Sequence, residues 1–416
     1  MGDTPNIRFK RYVDEWEQRK VGDIAEFSKG QGYSKGDLKE HGTPIILYGR
    51  LYTKYETRIT DIDTFVDAKP NSVYSKGGEV IIPASGETAE EIARAATVEK
   101  SGVLLGGDLN VVTPDNEIDS VFLALAISNG NAQKELAKKA QGKSVVHIHN
   151  EEIKNIVISL PKHTEQREIA LYFDYLDYLI TLHQHKCDET KELKRYMLQK
   201  MFPQNGKKLP EIRFAGFTNE WEQCKLGEMM NVTSVKRIHQ SDWTTSGVRF
   251  LRARDIVATF KNEELSDYLY ISEEKYNEYS SLSGKVETGD LLVTGVGTIG
   301  VPMLINNENP LYFKDGNIIW FQNRNKIDGD FFYYSFTGNV IQSFIQESAG
   351  IGTVGTYTID SGKKTPIILP KDVDEQQKIG TFFRNLDNLI TLHQRKCDEL
   401  KEVKKFMLQN MFPQKG

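Results

Sequence analysis

The sequence predicts a mixed α/β protein of two variable globular domains joined by two long antiparallel helices, with a pseudo-twofold internal repeat. Residues 165–203 recur without a gap as residues 375–413, and 25 of the 39 positions are identical. A second repeat opens each half, at residues 5–24 and 210–229. Between these repeats the halves differ in sequence but keep a similar order of strand-like and helical patterns.

The patterns within each half predict a sheet of short strands. An early strand ends at Arg50 in the first half and at Arg254 in the second. A glycine-led strand follows (KGGEVIIPASGET; ETGDLLVTGVGTIG), and then a third strand (GDLNVVTP; GNIIWFQ). An amphipathic helix is predicted at about 119–141 and at about 328–349. A final strand (NIVISLP; TPIILP) leads into the long helix.

The two long helices carry an alternating spacing of four and three residues, which is the pattern of a heptad seam. Each would be about 58 Å long at 1.5 Å per residue, and Pro203 and Pro413 mark their ends. The predicted packing residues are Ile169, Phe173, Leu176, Ile180, Ile379, Phe383, Leu386 and Ile390. Two similar helices in one chain can pair antiparallel around a pseudo-twofold axis. Additional leucines (Leu179, Leu182, Leu389, Leu392) widen the apolar face, so each helix can contact its twin and a further partner.

These repeats divide the chain into four segments. Residues 1–163 form the opening repeat with the first variable domain, and residues 164–203 form the central helix. Residues 204–370 form the second variable domain, and residues 371–416 form the C-terminal helix. A chain of 416 residues with 39% hydrophobic residues is long enough for two cores.

Composition predicts a cytoplasmic protein without a membrane span. No stretch of about 18 apolar residues occurs. The three cysteines, Cys187, Cys224 and Cys397, form no CxxC pair, which favours a reducing compartment. Cys187 and Cys397 lie at equivalent positions of an apolar helix face and are interpreted as small core residues.

The sequence GVGTIG at residues 295–300 matches GxGxxG, a pattern found where dinucleotides or S-adenosylmethionine bind. It runs into a second strand-like stretch rather than a helix, so a β-turn is favoured. The matching stretch of the first half, SGETAEE, lacks the glycines. The Asn/Asp-Pro-Pro-aromatic tetrapeptide of amino-group methyltransferases is also missing. A stand-alone S-adenosylmethionine-dependent DNA methyltransferase stays an alternative.

His147 and His149 could suggest a metal site. Their alternation in SVVHIHNEE instead predicts a strand with both histidines on one face, and the second half has Thr356 and Thr358 in the corresponding stretch. A polar sheet face or a nucleic-acid contact is favoured over a metal. No catalytic residue and no metal ligand is therefore predicted, and the chain is not expected to be an enzyme.

Basic and aromatic residues gather in two loop regions that could contact DNA. The net charge of −5 counts against a protein that holds nucleic acid alone. Arginine can nevertheless bind guanine through two hydrogen bonds, and lysine can hold phosphates. The predicted contact residues are Arg50, Tyr52, Lys54, Arg58 and His147 in the first half, and Lys236, Arg237, Arg252, Arg254 and Lys261 in the second.

The repeated helices (EQ…I…LD.LI..H..K…LQ.MFP), the repeated openings (P.IRF…EWEQ.K.G) and the paired variable domains together resemble the specificity (S) subunit of Type I restriction–modification systems. The resemblance implies two target-recognition domains that each read half of a split double-stranded DNA sequence, with the helices as a spacer. It implies partners as well: two modification (M) subunits and, optionally, two restriction (R) subunits. S-adenosylmethionine, ATP and Mg would be used by the partners and not by this chain.

Two different readers on one scaffold predict an asymmetric, bipartite target. If the centres of the two half-sites lie one DNA turn apart, the distance between them is about 34 Å or 10 base pairs. Half-sites of three or four base pairs would then leave an unread gap of roughly 5 to 8 base pairs. Helix length is expected to set this gap. A coiled-coil adaptor that links two protein-binding domains, with no DNA readout, is the other alternative.

Overall fold

The computed structural model describes residues 4–140, 142, 145–204, 207–349 and 355–414. Its residues form two compact units. Unit 1 is Met1–Gln184 together with Gln394–Gly416, and unit 2 is His185–His393. Each unit therefore combines one variable domain with part of both long helices. The division into four segments by chain order stays a prediction.

The first variable domain is built from thirteen short strands and five short helices within the described residues. Its strands are β1 (Glu17–Lys20), β2 (Ala25–Lys29), β3 (Leu38–Lys39), β4 (Thr43–Ile46), β5 (Arg58–Ile59), β6 (Phe65–Val66), β7 (Glu79–Pro83), β8 (Ser85–Gly86), β9 (Ala96–Val98), β10 (Leu104–Leu105), β11 (Leu109–Pro114), β12 (Val146–His147) and β13 (Val157–Leu160). Its helices are α1 (Arg50–Thr53), α2 (Ala89–Ile92), α3 (Ser120–Ser128), α4 (Gly130–Lys139) and α5 (Asn150–Lys154). The first long helix, α6 (His163–Met201), follows.

Two larger sheets and two strand pairs organise this domain. The strand orders are β2-β11-β7-β9-β5 and β10-β4-β6-β3, and the pairs are β1–β13 and β8–β12. Strand β7 is buried along its whole length. Val80 and Ile82 belong to the core that includes α3 and α6, whereas Ile81 belongs to a second cluster. Successive side chains of a strand point to opposite faces, so the apolar run EVIIP is a strand with both faces covered.

The second variable domain repeats this organisation. Its strands are β14 (Glu222–Lys225), β15 (Asn231–Thr233), β16 (Trp243–Thr244), β17 (Val248–Leu251), β18 (Leu269–Ile271), β19 (Leu291–Thr294), β20 (Pro302–Leu304), β21 (Leu311–Phe313), β22 (Ile318–Gln322) and β23 (Pro366–Leu369). Its helices are α7 (Leu226–Met229), α8 (Ala253–Lys261), α9 (Glu273–Ser283), α10 (Gly329–Phe336), α11 (Asn339–Ser348) and α12 (Ile359–Lys364), and the second long helix, α13 (Val373–Asn410), follows.

The sheet orders of the two domains correspond except for β5 and the pair β8–β12, which have no counterpart among the described residues of the second domain. The second domain has the orders β15-β22-β19-β20 and β16-β18-β17-β21, with the pair β14–β23. The sheets β10-β4-β6-β3 and β16-β18-β17-β21 each contain one parallel pair, β4–β10 or β17–β21, beside antiparallel pairs. The predicted mixed α/β class and internal repeat are confirmed.

The helix predicted at about 119–141 is two helices, α3 and α4, and the helix predicted at about 328–349 is also two, α10 and α11. Residue 141 lies outside the described residues. Asn129 is extended (φ −138°, ψ 164°) and Gly130 has φ +64°, so the helix cannot continue there. In addition, α3 is buried from Val121 to Ser128 rather than amphipathic.

The strands predicted to end at Arg50 and Arg254 end earlier, at Ile46 and Leu251. Arg50 begins α1 and Arg254 lies in the first turn of α8. The N–H of Gly106 donates to the oxygen of Ile46, as the N–H of Lys314 donates to that of Leu251, both at 2.9 Å. Ile46 thus corresponds to Leu251, and four residues later Arg50 corresponds to Asp255, not to Arg254.

The repeated openings are anchored to the long helices by buried ion pairs. The guanidinium of Arg8 donates two hydrogen bonds to Glu165, at 2.6 and 2.7 Å. Arg213 does the same to Glu375, at 2.5 and 2.8 Å. Both carboxylates are fully buried, which explains why the Arg of IRF and the Glu of EQ recur together.

The long helices run antiparallel within each unit. In unit 1 the ammonium of Lys404 lies 2.6 Å from Asp177, and Sγ of Cys397 lies 3.9 Å from the backbone oxygen of Ile180. In unit 2 the equivalent contacts recur with the helices exchanged: Lys194 lies 2.6 Å from Asp387, and Cys187 lies 3.8 Å from Ile390. The contacts with exchanged helices fit the pseudo-twofold repeat.

The phenylalanine of the repeated MFP sequence ends each long helix inside a core. Phe412 packs on Phe122 and Phe173 in unit 1, with ring centroids 5.9 and 6.2 Å apart. Phe202 packs on Phe331 and Phe383 in unit 2, at 5.6 and 5.8 Å. Of the predicted packing residues, Ile169, Phe173, Leu176, Ile379, Phe383 and Leu386 are buried in these cores, whereas Ile180 and Ile390 are half-buried.

Candidate nucleic-acid interface

Three elements that are far apart in the sequence meet on one surface of unit 1. The phenol of Tyr52, on α1, donates a hydrogen bond to the backbone oxygen of Ser85, on β8, at 2.8 Å. The hydroxyl of Ser85 lies 3.2 Å from Nδ1 of His147, on β12. The structure therefore brings together two predicted contact residues, Tyr52 and His147, and places Ser85 between them.

His147 and His149 lie side by side on this surface. Val146 and Ile148 are buried whereas the two histidines are exposed, and the imidazole rings stack with centroids 6.5 Å apart. Both histidines lie on one face, as predicted. Strand β12 is only two residues long because His149 already caps α5. Tyr52, Ser85, His147 and His149 are called the histidine surface below.

A cleft of about 870 Å³ opens beside α1. The ring of Tyr48 lines the cleft and packs edge-on against Tyr52, with centroids 6.3 Å apart, so the cleft adjoins the histidine surface. The side chains that line it include Tyr33, Lys35, Tyr48, Thr53, Lys54 and Asp63. These residues offer aromatic faces, hydroxyls and ammonium groups, which suit contacts to bases and phosphates.

The acidic groups near this cleft are already engaged. A hydrogen bond from Lys69, followed by bonds from Ser34, lowers the pKa of Asp37 to about 2. A hydrogen bond from Lys54 lowers the pKa of Asp63. Burial raises the pKa of the Tyr52 phenol, and the charge of Glu91 adds to the effect. The phenol is therefore protonated at neutral pH and remains a hydrogen-bond donor.

Arg50 is held in a buried cluster with two carboxylates. Its side chain is 8% exposed, and its guanidinium lies 2.7 Å from Glu56 and 2.6 Å from Asp63. It also donates to the backbone oxygen of Asp61 at 2.8 Å. These contacts hold the guanidinium in a buried position, while its Nε has no hydrogen-bond partner among the described residues. DNA contact by Arg50 stays a prediction.

The second domain presents different side chains at the positions of the histidine surface. The N–H of Ile148 donates to the oxygen of Ala84 at 3.0 Å, as the N–H of Tyr357 donates to that of Gly295 at 2.9 Å. These bonds and the match of Ile46 to Leu251 fix the correspondence. The counterparts of Tyr52, Ser85, His147 and His149 are Val257, Val296, Thr356 and Thr358, of which the valines are half-buried and the threonines exposed.

Arg252 is also held by carboxylates. Its guanidinium donates to Asp255 at 2.9 Å and to Asp267 at 3.1 Å, and its side chain is 16% exposed. The pKa of Asp267 is lowered by the hydrogen bond from Arg252 first and then by that from Arg254. Arg252 therefore orders the start of α8, and its contact with DNA stays a prediction.

The other predicted residues lie on the surface or in partly exposed ion pairs. Arg58 binds Asp174 and Glu99. The remaining side chains are exposed, and several have a carboxylate partner: Lys54 with Asp63, Arg237 with Asp315, Arg254 with Asp267, and Lys261 with Glu263, while Lys236 and His147 are also exposed. DNA contact by these residues stays a prediction.

The sequence GVGTIG forms the loop of a β-hairpin, as predicted. Strands β19 and β20 pair antiparallel on either side of it, and the N–H of Gly300 donates to the oxygen of Thr294 at 2.8 Å. No phosphate-binding helix begins there. Among the described residues, no group of three or more His, Cys, Asp or Glu side chains is placed to hold a metal ion.

The outer faces of the long helices expose apolar side chains at equivalent positions. Leu193 and Tyr196 on α6 are 46% and 51% exposed, and Val403 and Phe406 on α13 are 44% and 55% exposed. Leu389 and Leu392, which were predicted to widen the apolar face, are 44% and 51% exposed. Exposed apolar groups that repeat on both helices are typical of a protein contact surface.

Sequence reasoning missed Ser85. A serine after a buried strand carries no signal by itself, and its role depends on strands β8 and β12 pairing. The alternation around His147 and His149 was the one signal for this surface in the sequence. Within the described residues, no helix is long and apolar enough to cross a membrane.

The fold defines a class of protein in which two α/β domains of one topology are carried on a pair of antiparallel long helices. The same fold occurs in the S subunit of a Type I restriction–modification system from M. genitalium. The two structures match with a TM-score of 0.63 over 99% of this chain and 100% of that chain, at 16% sequence identity.

The sequence model of the Type I restriction modification DNA specificity domain matches this chain twice, at residues 13–192 and 218–402. The chain therefore belongs to this family and is a Type I restriction–modification specificity subunit. It is 22% identical over 411 residues to the Type I restriction enzyme MjaVIII specificity subunit of Methanocaldococcus jannaschii, covering 95% of this chain and 91% of that protein.

Proposed function

We propose that each variable domain of this specificity subunit reads one half of an asymmetric, bipartite double-stranded DNA target, and that the helix pair sets the spacer between the halves. The observation that supports the proposal is the contrast between the two domains. Their sheets share one strand order apart from β5 and the pair β8–β12 of the first domain. Equivalent positions, half-buried or exposed, nevertheless carry Tyr, Ser and His in one domain and Val and Thr in the other. A shared frame with different side chains suits two readers of different sequences.

The chain supplies recognition, and its partners supply the chemistry. Two M subunits would dock on the exposed apolar groups that recur on α6 and α13, and two R subunits could join them. S-adenosylmethionine, ATP and Mg would be used by those partners in the cytoplasm, and this chain would catalyse no step. Because the net charge is −5, the partners would also supply phosphate contacts around the duplex.

The test is methylation mapping by long-read sequencing in cells that express this chain with its M subunit. One new motif with two defined halves, a fixed gap and methyladenine on opposite strands is expected. Replacing either variable domain by that of another specificity subunit should change one half only. Absence of a new motif, with an assembled complex demonstrated by co-purification, would contradict the proposal and favour the adaptor alternative.

The spacer role predicts a change in gap length when the helices are lengthened. Insertion of one heptad after Gln184 and one after Gln394 keeps the seam in phase and adds about 10.5 Å at 1.5 Å per residue. The methylated motif should keep both halves and gain a gap longer by about 3 base pairs, since DNA rises about 3.4 Å per base pair. A motif with the original gap, made by an intact complex, would rule out the spacer role.

A further inference from the structure

The histidine surface and its counterpart in the second domain lie beside two equivalent backbone hydrogen bonds and differ in side-chain chemistry. We propose that Tyr52, Ser85, His147 and His149 form the base-reading surface of the first domain, and that Val257, Val296, Thr356 and Thr358 form that of the second. The inference rests on the proposed function and assigns the reading to specific residues.

Two backbone hydrogen bonds beneath these surfaces recur in both domains, although the pair β8–β12 has no counterpart among the described residues of the second. The bond from Ile148 to Ala84 has its equivalent in the bond from Tyr357 to Gly295. The N–H of Ala84 donates to Asp108, and that of Gly295 donates to Asn317, at 2.7 and 2.8 Å. Positions held by the same bonds would present their side chains to DNA in the same way. The identity of the side chain then decides which sequence is accepted.

The histidine surface is ordered before any ligand binds. Tyr52 is fixed by its bond to Ser85, Ser85 by strand β8, and His147 by the contact of its Nδ1 with the serine hydroxyl. His149 is held at the start of α5, where its backbone N–H donates to Glu152 at 2.8 Å. Side chains that are already in position lose little conformational freedom on binding, so their contacts contribute to affinity.

The chemistry of the first surface suits hydrogen bonds to base edges. With Nδ1 of His147 engaged by Ser85, its Nε2 is the ring nitrogen left to donate or accept. The imidazole of His149, stacked on that of His147, offers the same groups two residues further along the chain. In the major groove every base pair presents a distinct pattern of donors and acceptors, which such side chains can distinguish.

The chemistry of the second surface is different. Valine and threonine methyl groups contact the C5-methyl group of thymine, and threonine hydroxyls bond to several base edges. The hydroxyl of Thr358 is partly occupied because it caps α12, accepting from the N–H of Ser361 at 3.1 Å. The second half-site is therefore expected to depend on thymine methyl groups, whereas the first depends on hydrogen-bonding edges.

The test installs the second domain's residues in the first and uses the full complex with M subunits. In the double variant His147→Thr, His149→Thr, threonine suits both the strand position and the helix cap. His41→Thr, which alters an exposed histidine in the loop between β3 and β4, is the matched control. The reciprocal variant Thr356→His, Thr358→His tests the second domain.

Methylation mapping should show that the double histidine variant keeps the gap and the second half of the motif but alters or relaxes the first half. In DNA-binding competition, its discrimination at the affected base pairs should fall about 5- to 100-fold. His41→Thr should reproduce the original motif. The reciprocal variant should change the second half only, and deoxyuridine in place of thymidine should weaken binding only in the second half-site.

Three outcomes would overturn the inference. One is an unchanged first half in the double histidine variant, and another is a change in the wrong half. If the double histidine variant no longer methylates DNA, its binding is measured in competition between DNAs that differ in the first half-site. Discrimination equal to that of the original complex is the third outcome that overturns the inference. Failure of the proposed function looks different, because the unaltered complex would then produce no bipartite motif.

Discussion

The turn after β4 and the turn after β17 lie at the same place in the two domains and bury opposite charges. In the first domain, Arg50 occupies the position and binds Glu56 and Asp63. In the second, the equivalent Asp255 is fully buried and binds Arg252. The backbone is unchanged, since the N–H of each residue donates to the residue three positions earlier, at 3.0 and 2.9 Å.

This difference shows what the fold requires at that position. A buried charge must have a partner because an unpaired one loses its hydration without compensation. The sign of the charge is not fixed by the fold, provided that its neighbours have the opposite sign. The two domains can therefore share topology while their residues differ even at buried positions, and the surfaces above them can differ as well.

The repeated openings have the same ion pair in both halves, so they are the reference for this comparison. Their variants are also expected to lose the most unfolding free energy. Arg8→Met and Arg213→Met each leave a fully buried carboxylate, Glu165 or Glu375, without its cation. Each variant should lose about 3–5 kcal/mol of unfolding free energy. Because the two sites have the same geometry, the two losses should agree closely when measured by denaturant unfolding of the purified chain.

Arg11→Met is the control for this pair. Arg11 also binds a glutamate of α6, Glu168, but its side chain is 66% exposed. Its removal should cost at most about 1 kcal/mol, because solvent hydrates both charges. Unequal losses for Arg8→Met and Arg213→Met would show that the openings are not equivalent anchors.

The charge-reversed turns should respond unequally. Asp255→Ala leaves the poorly exposed Arg252 without its buried partner and removes the acceptor for its backbone N–H, at 2.9 Å. A loss of about 3 kcal/mol is expected. Arg50→Met removes the buried charge itself, and Glu56 and Asp63 are exposed enough to be hydrated. A loss within about 1 kcal/mol is expected.

Hydrogen–deuterium exchange of peptides that span the two turns locates these losses. Exchange should rise around α8 in Asp255→Ala and change little around α1 in Arg50→Met. Asp267→Ala removes an exposed carboxylate from the same cluster and is the control, with an effect of about 1 kcal/mol or less. Equal losses in the two domains would contradict the view that the exposure of the remaining partner determines the loss.

Repetition made the architecture predictable from sequence. The near-identical helices and openings set the topology, and the seam spacing correctly predicted that Ile169, Phe173 and Leu176 face inward. The spacing of apolar residues can be read from a single sequence because helix geometry determines which residues share a face. The internal repeat can likewise be read by comparing the two halves. The predictions failed where a glycine or a cap interrupts a pattern, as at Gly130.

The candidate site was only partly predictable. Residue type selected Tyr52 and His147, which the structure brings to one surface, and it also selected Arg50 and Arg252, whose guanidinium groups bind carboxylates. Whether an arginine is free depends on its neighbours in space, and Arg50 meets Asp63 only because β4 and β6 pair. Ser85 lies between two predicted residues for the same reason. Such contacts are set by the pairing of strands and not by the local sequence.

The smallest expected effect concerns a polar contact of the long helix in unit 2 that unit 1 lacks at the equivalent position. Asp387 accepts from Lys194 and, at 2.6 Å, from the phenol of Tyr334. Asp119 and Asp328 are equivalent residues, because the backbone N–H of each donates to an equivalent glutamine of a long helix. Leu125 lies six residues after Asp119, and Tyr334 lies six residues after Asp328. Unit 1 thus has a leucine where unit 2 has the tyrosine.

Tyr334→Phe should lower the unfolding free energy by about 1.5 kcal/mol, the contribution of a hydrogen bond to a charged group. Exchange should rise in the unit 2 peptides of α10 and α13 and not in unit 1. Burial first, and then the bond to Asp387, raise the pKa of this phenol. Its contribution is present below pH about 10 and is lost as pH rises, because the unfolded phenol ionises there first. Unfolding measured from pH 8 to 11 should therefore show a shallower alkaline loss in Tyr334→Phe, and an unchanged slope would contradict this account of the contact.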